Sequence, residues 1–319
     1  MTMELGVSGH RWHYIERVFG RPRRTARYLL PVMEDVRIAV PGGEINVWHR
    51  PAAEGSSTVV LIHGLTGTSR WWVPVISHLP DDRGLIALDA RGRGQSWQVP
   101  EPHDLAALAE DAVLSMDHLG IDEAVIAGYS MGAWIAALAA IRHPGRVSRL
   151  VLVDGGLATE GDPGVDPEEA LSQAVGPSLA RLDMEFEDRS AYFEWWRRHP
   201  SLSGRWHQDL ERVFAYDIHE VNGSWRVRAD RDAIIAAGRG LIVDDEVRNV
   251  ACAVPRPAHL LVVDHGMLDQ PGGFVPLDIA RDAAAGNQNI EVSLHRGLNH
   301  YTLMLGDGAP AVARAASGV

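Results

Sequence analysis

The residues best suited to chemistry lie around Ser130. The segment Gly128-Tyr129-Ser130-Met131-Gly132 matches the pattern G-x-S-x-G. An apolar run, Ala124–Ala127, precedes it, and an alanine-rich stretch with helical character, Trp134–Ile141, follows it. A strand, a tight turn and a helix are the context in which this pattern presents a serine hydroxyl at the top of a sheet. The spacing therefore predicts that Ser130 is a nucleophile on a strained turn.

Strands and helices alternate on both sides of this turn. Val36–Val40 and Ile45–His49 alternate in polarity and are joined by Pro41-Gly42-Gly43, which predicts a hairpin. Further apolar runs predict strands at Thr58–Ile62, Gly84–Asp89, Arg149–Asp154, His259–Asp264 and Ile290–Leu294. Helices are predicted through Trp71–Val75, over Leu105–Leu119 and near the end of the chain. This order predicts an α/β fold with a mainly parallel central sheet, helices on both faces and right-handed crossovers.

Four motifs resemble those of the α/β-hydrolase fold. They occur in that family's order and approximate spacing, and they are His63-Gly64, Asp89–Ser96, Gly128–Gly132 and Asn299-His300. The resemblance extends over about residues 36 to 319, apart from a central insertion. It implies a catalytic triad in the order serine, acid, histidine. It also implies a helical cap inserted after the strand that ends near Asp154.

His300 is the histidine that suits the role of base in such a triad. A serine hydroxyl is a weak nucleophile at neutral pH and needs a base within hydrogen-bond reach. The chain has 15 histidines, and His300 is selected because it follows the last predicted strand and precedes the last predicted helix. His63, beside Gly64, is interpreted as a structural or pocket-lining residue.

Two aspartates compete for the role of acid, which holds the tautomer of the histidine and stabilises the imidazolium. The commonest place in this fold is the loop after the strand that ends near Val263. Asp264 comes too early there, and Asp269 comes slightly late. Asp154 ends the preceding predicted strand, where some esterases and dehalogenases of the family carry their acid. We favour Asp154 and keep Asp269 as the alternative.

The oxyanion that forms during acyl transfer needs preorganised donors. The backbone N–H of Met131, directly after the serine, is predicted to be one donor. The backbone N–H of Leu65, after His63-Gly64, is predicted to be the other. The neighbouring loop Arg91–Ser96 contains G-x-G but lacks the rest of a phosphate-binding motif, so it is predicted to be structural.

The chain divides into a predicted core and an insertion. The α/β-hydrolase core covers residues 31–154 and 251–319, and a helical cap covers residues 155–250. The cap segment has no strong strand run and many aromatic residues, which are expected to form its own core and to line part of a pocket. Residues 1–30 form a basic extension with spaced arginines, interpreted as a solvated helix and loop.

Composition restricts the classes of function. The 319 residues allow one large domain with its own core, and the net charge of −12 argues against nucleic acid and anionic membranes as partners. The absence of a long apolar run and of a signal segment predicts a cytoplasmic protein. The single cysteine, Cys252, is predicted to be buried and excludes an internal disulfide and a cysteine-based zinc site. No cofactor and no metal site are predicted.

The sequence thus predicts a serine hydrolase that cleaves an ester or lactone bond of a partly apolar small molecule. A carbon–carbon bond hydrolase and a thioesterase use the same triad and stay open. The basic segment Arg17–Arg27 would suit a thioesterase that docks an acidic carrier protein. A small-molecule receptor with a hydrolase fold is the alternative outside enzymes, and turnover of activated esters distinguishes it. The sequence does not indicate the oligomeric state.

Overall fold

A twisted central sheet dominates the computed structural model, which describes residues 33–157, 165–248 and 250–318. The basic extension predicted over residues 1–30 lies outside the described residues. The strands are β1 (Glu34–Val40), β2 (Gly43–Arg50), β3 (Thr58–Ile62), β4 (Gly84–Leu88), β5 (Ala124–Tyr129), β6 (Val147–Val153), β7 (Ile218–Val221), β8 (Ser224–Val227), β9 (Ala258–His265) and β10 (Ile290–Asn299). Eight of them form one sheet in the order β1-β2-β4-β3-β5-β6-β9-β10. The pairs β1-β2 and β2-β4 are antiparallel and the others are parallel, as predicted.

Helices connect these strands. They are α1 (Val73–Ile76), α2 (Leu105–His118), α3 (Met131–Arg142), α4 (Pro167–Ala180), α5 (Arg189–Arg197), α6 (Gln208–Asp217), α7 (Arg231–Val243), α8 (Asp245–Arg248), α9 (Leu277–Gly286), α10 (Thr302–Leu305) and α11 (Ala309–Ser317). Within the described ranges, no helix has both the length and the apolar character needed to cross a membrane.

Both faces of the sheet are buried. In β3, Val60 and Ile62 pack into one apolar cluster together with residues of α2 and α3. Val59 and Leu61 alternate with them and pack into a second cluster with residues of α1 and α11. Successive side chains of a strand point to opposite faces, so a continuous apolar run such as Thr58–Ile62 suits a strand covered on both sides. The prediction of helices on both faces is confirmed.

The segment between β6 and β9 contains helices α4 to α8 and also a small hairpin. The sequence predicts a helical segment without a strong strand run, and the structure adds two short strands, β7 and β8, which pair antiparallel. Asn222 and Gly223 form their turn with φ of 51° and 84°. An Asn-Gly pair suits such a turn because both central residues need positive φ, so the hairpin had a readable signal.

Aromatic residues of this segment do not form a core of their own. Tyr192, Trp196 and Phe214 pack in the same buried cluster as Trp71 and Tyr301, which lie outside the segment. The ring centroids of Trp71 and Trp196 are 5.7 Å apart. The expectation of a separate cap core is therefore wrong, and the division of the chain into core and cap stays a prediction.

Cys252 lies in a short 3₁₀ turn, Val250–Ala253, and is exposed. The prediction of a buried cysteine is wrong. In this turn Val250 and Ala251 are buried, and the next two residues, Cys252 and Ala253, are exposed.

Candidate active site

Ser130 occupies a sharp turn between β5 and α3. Its φ of 53° and ψ of −124° lie outside the regions that side-chain-bearing residues ordinarily adopt. The flanking glycines make the turn possible. A Cβ at Gly128 would lie 1.9 Å from the carbonyl oxygen of Gly132, and one at Gly132 would lie 2.1 Å from that of Ile62. Backbone packs directly on backbone here, and strain of this kind is typical of functional turns.

Asp154 and His300 meet at the carboxyl edge of the sheet. Asp154 follows β6 and His300 follows β10, and Nδ1 of His300 lies 2.7 Å from Oδ2 of Asp154. The other carboxylate oxygen of Asp154 accepts the backbone N–H of Val275 at 3.3 Å. The exposed fractions of Asp154 and His300 are 0% and 2%. Because Asp154 occupies Nδ1, Nε2 is the nitrogen of His300 left to act on Ser130.

Asp269, the alternative acid, is hydrogen-bonded to residues other than His300. Its Oδ1 accepts hydrogen bonds from Nδ2 of Asn299 at 2.8 Å and from Arg205 at 2.9 Å. Asp264, which the sequence places too early, accepts the backbone N–H of Gly297 at 2.8 Å. Of the candidate acids, the structure therefore brings only Asp154 into contact with His300.

Neighbouring rings hold the imidazole of His300. The ring of Phe274 lies 4.6 Å and that of Tyr129 lies 4.9 Å from it, centroid to centroid. The hydroxyl of Tyr129 also donates to the backbone carbonyl of His300 at 3.2 Å. These contacts fix the ring plane, so the orientation of His300 does not depend on Asp154 alone.

The two predicted oxyanion donors flank Ser130. Met131 is the first residue of α3, and backbone N–H groups in the first turn of a helix have no intrahelical acceptor. Leu65 lines the same cavity as Ser130 and His300. A negative charge that forms there would also face the positive end of the α3 dipole.

His63 fixes the orientation of the peptide that carries the Leu65 N–H. Nε2 of His63 accepts the backbone N–H of Ala90 at 3.0 Å, so the proton of the neutral ring lies on Nδ1. Burial lowers the pKa of His63 to about 4, which keeps the ring neutral. Nδ1 lies 2.7 Å from the carbonyl oxygen of Gly64 and donates to it. In a trans peptide the N–H points opposite to the C=O, so the N–H of Leu65 is turned away from His63. The predicted structural role of His63 is confirmed.

The loop Arg91–Ser96 is structural, as predicted. Nε of Arg91 forms a buried ion pair with Asp111 of α2, and its N–O distance is 2.6 Å. Oδ2 of Asp89, at the start of the loop, accepts the backbone N–H of Gln95 at 2.9 Å. Arg93 is also buried and donates from Nε to the carbonyl oxygen of Leu65 at 3.0 Å, so this loop supports the predicted oxyanion turn.

The cavity that Ser130 and His300 share is small and mostly apolar. Its volume is about 20 Å³, which is room for about one water molecule. Its walls include Trp71 and Tyr301 from the core and Val175 from α4. The narrow space beside Ser130 therefore limits how much of a substrate fits there without rearrangement of the wall.

A buried carboxylate that sequence reasoning missed lies behind the cavity. Asp217, the last residue of α6, accepts hydrogen bonds from Oγ1 of Thr68 at 2.9 Å and from Nε1 of Trp71 at 3.0 Å. The hydroxyl of Tyr192 lies 3.4 Å from its Oδ2. Burial raises the pKa of Asp217 from its ordinary 3.8 to about 6. An aspartate at a helix end carries no signal of burial in the sequence, because aspartates are mostly exposed.

The raised pKa of Asp217 predicts a pH-dependent loss of stability. The folded protein holds this proton more tightly than the unfolded chain, so Asp217 lowers the free energy of unfolding as the pH rises from about 4 to about 6. The variant Asp217→Asn lacks this loss. Its free energy of unfolding relative to wild type should rise by up to about 3 kcal/mol across that window.

Urea unfolding at several pH values measures this difference. The matched control is Asp209→Asn, which removes a carboxylate from the same helix at a more exposed position. An Asp217→Asn difference that does not change with pH would contradict the expectation.

Comparisons with known proteins agree with this architecture. A family model for the alpha/beta hydrolase fold matches residues 57–202. A protein of Caulobacter sp. (strain K31), which carries the provisional name carbamate hydrolase RutD, is 34% identical over 108 residues. That match covers 34% of this chain and 40% of the relative, so it spans well under half of either protein.

Solved structures extend the likeness over most of the chain. E-2-(acetamidomethylene)succinate hydrolase superposes with a TM-score of 0.73 at 21% identity, over 90% of this chain and 100% of that one. A thioesterase domain from the curacin biosynthetic pathway gives a TM-score of 0.66 at 18% identity, over 89% and 99% of the two chains. At these identities the likeness shows the fold alone.

The parallel sheet covered on both faces and the serine on a strand-to-helix turn define an α/β-hydrolase fold. The family match over residues 57–202 and the solved structures agree with this fold.

Proposed function

We propose that this protein is a serine hydrolase that forms an acyl-enzyme on Ser130. The observation that carries the proposal is the arrangement of Ser130, His300 and Asp154. Ser130 and His300 line a single cavity, and Asp154 binds the far nitrogen of His300. A serine, a histidine and a buried carboxylate in this relation are the parts that acyl transfer requires.

In the proposed mechanism, Oγ of Ser130 attacks the carbonyl carbon while Nε2 of His300 takes the hydroxyl proton. The carboxylate of Asp154 stays ionised and stabilises the imidazolium. The N–H groups of Leu65 and Met131 bind the oxyanion of the tetrahedral intermediate. The intermediate collapses as His300 returns the proton to the leaving oxygen. A water molecule then repeats the sequence, releases the acid and restores Ser130.

We propose a carboxylic ester or a lactone with a sizeable apolar part as the substrate. The aromatic and aliphatic lining of the cavity supports an apolar group beside the reacting carbonyl. The name of the Caulobacter relative adds a carbamate as a substrate to test, because a carbamate also offers a carbonyl carbon bonded to a leaving heteroatom. The superposed structures do not select the bond, because their similarity extends only to the fold.

We propose that α4 borders the route by which a substrate reaches Ser130. Val175 and Ser178 of this helix line one side of the cavity. The hydroxyl of Ser178 lies 2.7 Å from that of Tyr301, so a hydrogen bond links α4 to the residue after His300. The helix also departs from helical geometry at Val175, where φ is −130° and ψ is 18°. Pro177 lies two residues further on, and a proline inside a helix removes a backbone hydrogen bond, so α4 is interrupted beside the site.

A panel of acyl substrates tests the proposed function. The panel contains p-nitrophenyl acetate, butyrate and octanoate, a butyryl thioester, a butyryl anilide and an aryl carbamate. We expect repeated turnover of the esters, with butyrate hydrolysed faster than acetate because of the apolar lining. Faster hydrolysis of the thioester would replace the esterase proposal with a thioesterase. One equivalent of released nitrophenol without turnover would support a receptor, and no reaction at all would overturn the proposal.

A further inference from the structure

Three buried side chains hold the turn that carries the predicted Leu65 donor. The turn closes by a hydrogen bond from the N–H of Gly67 to the carbonyl oxygen of Gly64 at 3.1 Å. Each of its first three carbonyl oxygens accepts a further hydrogen bond from a buried ring or guanidinium nitrogen. The pairs are His63 with Gly64 at 2.7 Å, Arg93 with Leu65 at 3.0 Å and Arg181 with Thr66 at 2.7 Å.

The three holding side chains come from different parts of the chain. His63 directly follows β3, and Arg93 belongs to the loop after β4. Arg181 belongs to the segment between β6 and β9, in a 3₁₀ turn that directly follows α4. Two of the holding side chains, His63 and Arg93, therefore follow strands of the sheet, and the third, Arg181, belongs to the inserted segment.

Burial of Arg181 beside the oxyanion turn costs free energy. Its side chain is fully buried, and among the described residues it forms no ion pair with a carboxylate. One terminal nitrogen donates to Thr66, another lies 3.2 Å from the hydroxyl of Tyr192, and Nε has no hydrogen-bond partner. The guanidinium also lies 5.1 Å from the ring centre of Trp196. Asp217 supplies a counter-charge across the hydroxyl of Tyr192, without a direct ion pair. A buried charge that lacks a direct ion pair costs free energy, which motivates a role for Arg181 beyond stability.

We propose that Arg181 is a positioning residue that holds the oxyanion turn, so that docking of the inserted segment sets the geometry of the oxyanion site. The bond to Thr66 keeps the Thr66–Gly67 peptide from rotating, and the N–H of Gly67 closes the turn on Gly64. Loss of this bond weakens the closure of the turn by Gly67, and the peptide that bears the N–H of Leu65 is then held by His63 alone. This inference rests on the proposed function, because the turn matters to catalysis only if it binds an oxyanion.

The test compares Arg181→Met and Arg181→Lys with a control, Arg197→Met. Arg197 lies on α5, pairs with Glu211 at 2.6 Å and has no contact with the turn. With p-nitrophenyl butyrate, we expect kcat of Arg181→Met to fall about 10-fold to 100-fold with KM within about threefold. Such a loss is smaller than the loss of an entire oxyanion donor, which costs about 10²-fold to 10³-fold. Arg181→Lys keeps one donor and should recover part of kcat, and Arg197→Met should stay near wild type.

Amide hydrogen exchange over residues 63–72 supplies a readout that needs no substrate. We expect exchange in this segment to be at least about tenfold faster in Arg181→Met than in Arg197→Met. Unchanged exchange would overturn the proposal, and so would a loss of kcat without faster exchange. A further outcome is that wild type hydrolyses no ester while exchange over residues 63–72 is still faster in Arg181→Met. In that case the proposed function fails, but the inference that Arg181 holds the turn stands.

A second variant covers the case in which Arg181→Met does not fold. Tyr192→Phe removes the hydroxyl between Arg181 and Asp217 and leaves the rest of the aromatic packing in place. It should loosen the turn in the same direction and to a smaller extent. If Tyr192→Phe shows the exchange rate and the kcat of wild type, the result contradicts the role of Arg181 in holding the turn.

Discussion

Replacing Ser130 with alanine is expected to abolish labelling by a fluorophosphonate probe and to lower kcat for p-nitrophenyl butyrate about 10⁶-fold. The probe reacts only with a serine whose proton is removed by a neighbouring base, and loss of such a nucleophile costs this much in a comparable protease. Labelling followed by mass spectrometry and steady-state kinetics measure both effects.

Ser178→Ala serves as the matched control for labelling, because Ser178 has the other serine hydroxyl on the wall of the same cavity. It should still take up the probe. Loss of labelling in Ser178→Ala with retention in Ser130→Ala would show that the nucleophile was assigned to the wrong serine.

Replacing Asp154 with asparagine is expected to lower kcat about 10⁴-fold, the size of the effect seen when a triad aspartate becomes an amide. Asp154 accepts the Nδ1 proton of His300 at 2.7 Å. An amide N–H turned toward Nδ1 would force the proton onto Nε2, and that nitrogen could then no longer accept the proton of Ser130. KM should change little, since Asp154 is buried behind the histidine.

Asp269→Asn is the control for this comparison. Asp269 accepts hydrogen bonds from Asn299 and Arg205, and an amide oxygen can accept both. Its kcat should stay within about threefold of wild type. A large loss in Asp269→Asn with a small loss in Asp154→Asn would reverse the assignment of the acid.

The turn at Ser130 was predictable because its requirements are local. A buried strand, a residue with positive φ and two glycines that admit no Cβ all lie within a few residues of one another. His300 was predictable for a related reason. The chain order of strands determines which residue follows the last strand, even though β10 extends to Asn299, five residues beyond its predicted end.

The choice between the two aspartates was not decidable from sequence because it depends on distant parts of the chain. Asp154 and His300 are 146 positions apart, and the whole inserted segment lies between them. Asp269 is held by Arg205 of that segment, and the sequence does not indicate where Arg205 lies. The two buried arginines at the oxyanion turn were missed for another reason. Arginines are mostly exposed, so nothing in the sequence indicates that Arg93 and Arg181 are buried beside this turn.

The aromatic cluster that joins the inserted segment to the sheet has a consequence for cooperativity. The ring of Trp196 stacks on that of Phe214, with centroids 4.4 Å apart, and meets the ring of Trp71 edge-on at 5.7 Å. Rings of the inserted segment and of the rest of the chain therefore pack in one cluster. If the inserted segment melted alone, Trp71 and Tyr301 would lose their partners and face water, and the sheet would lose much of its own apolar burial. The free energy of opening this segment is thus tied to that of unfolding the whole chain. A motion that widens the cavity while the fold persists has to leave this cluster intact.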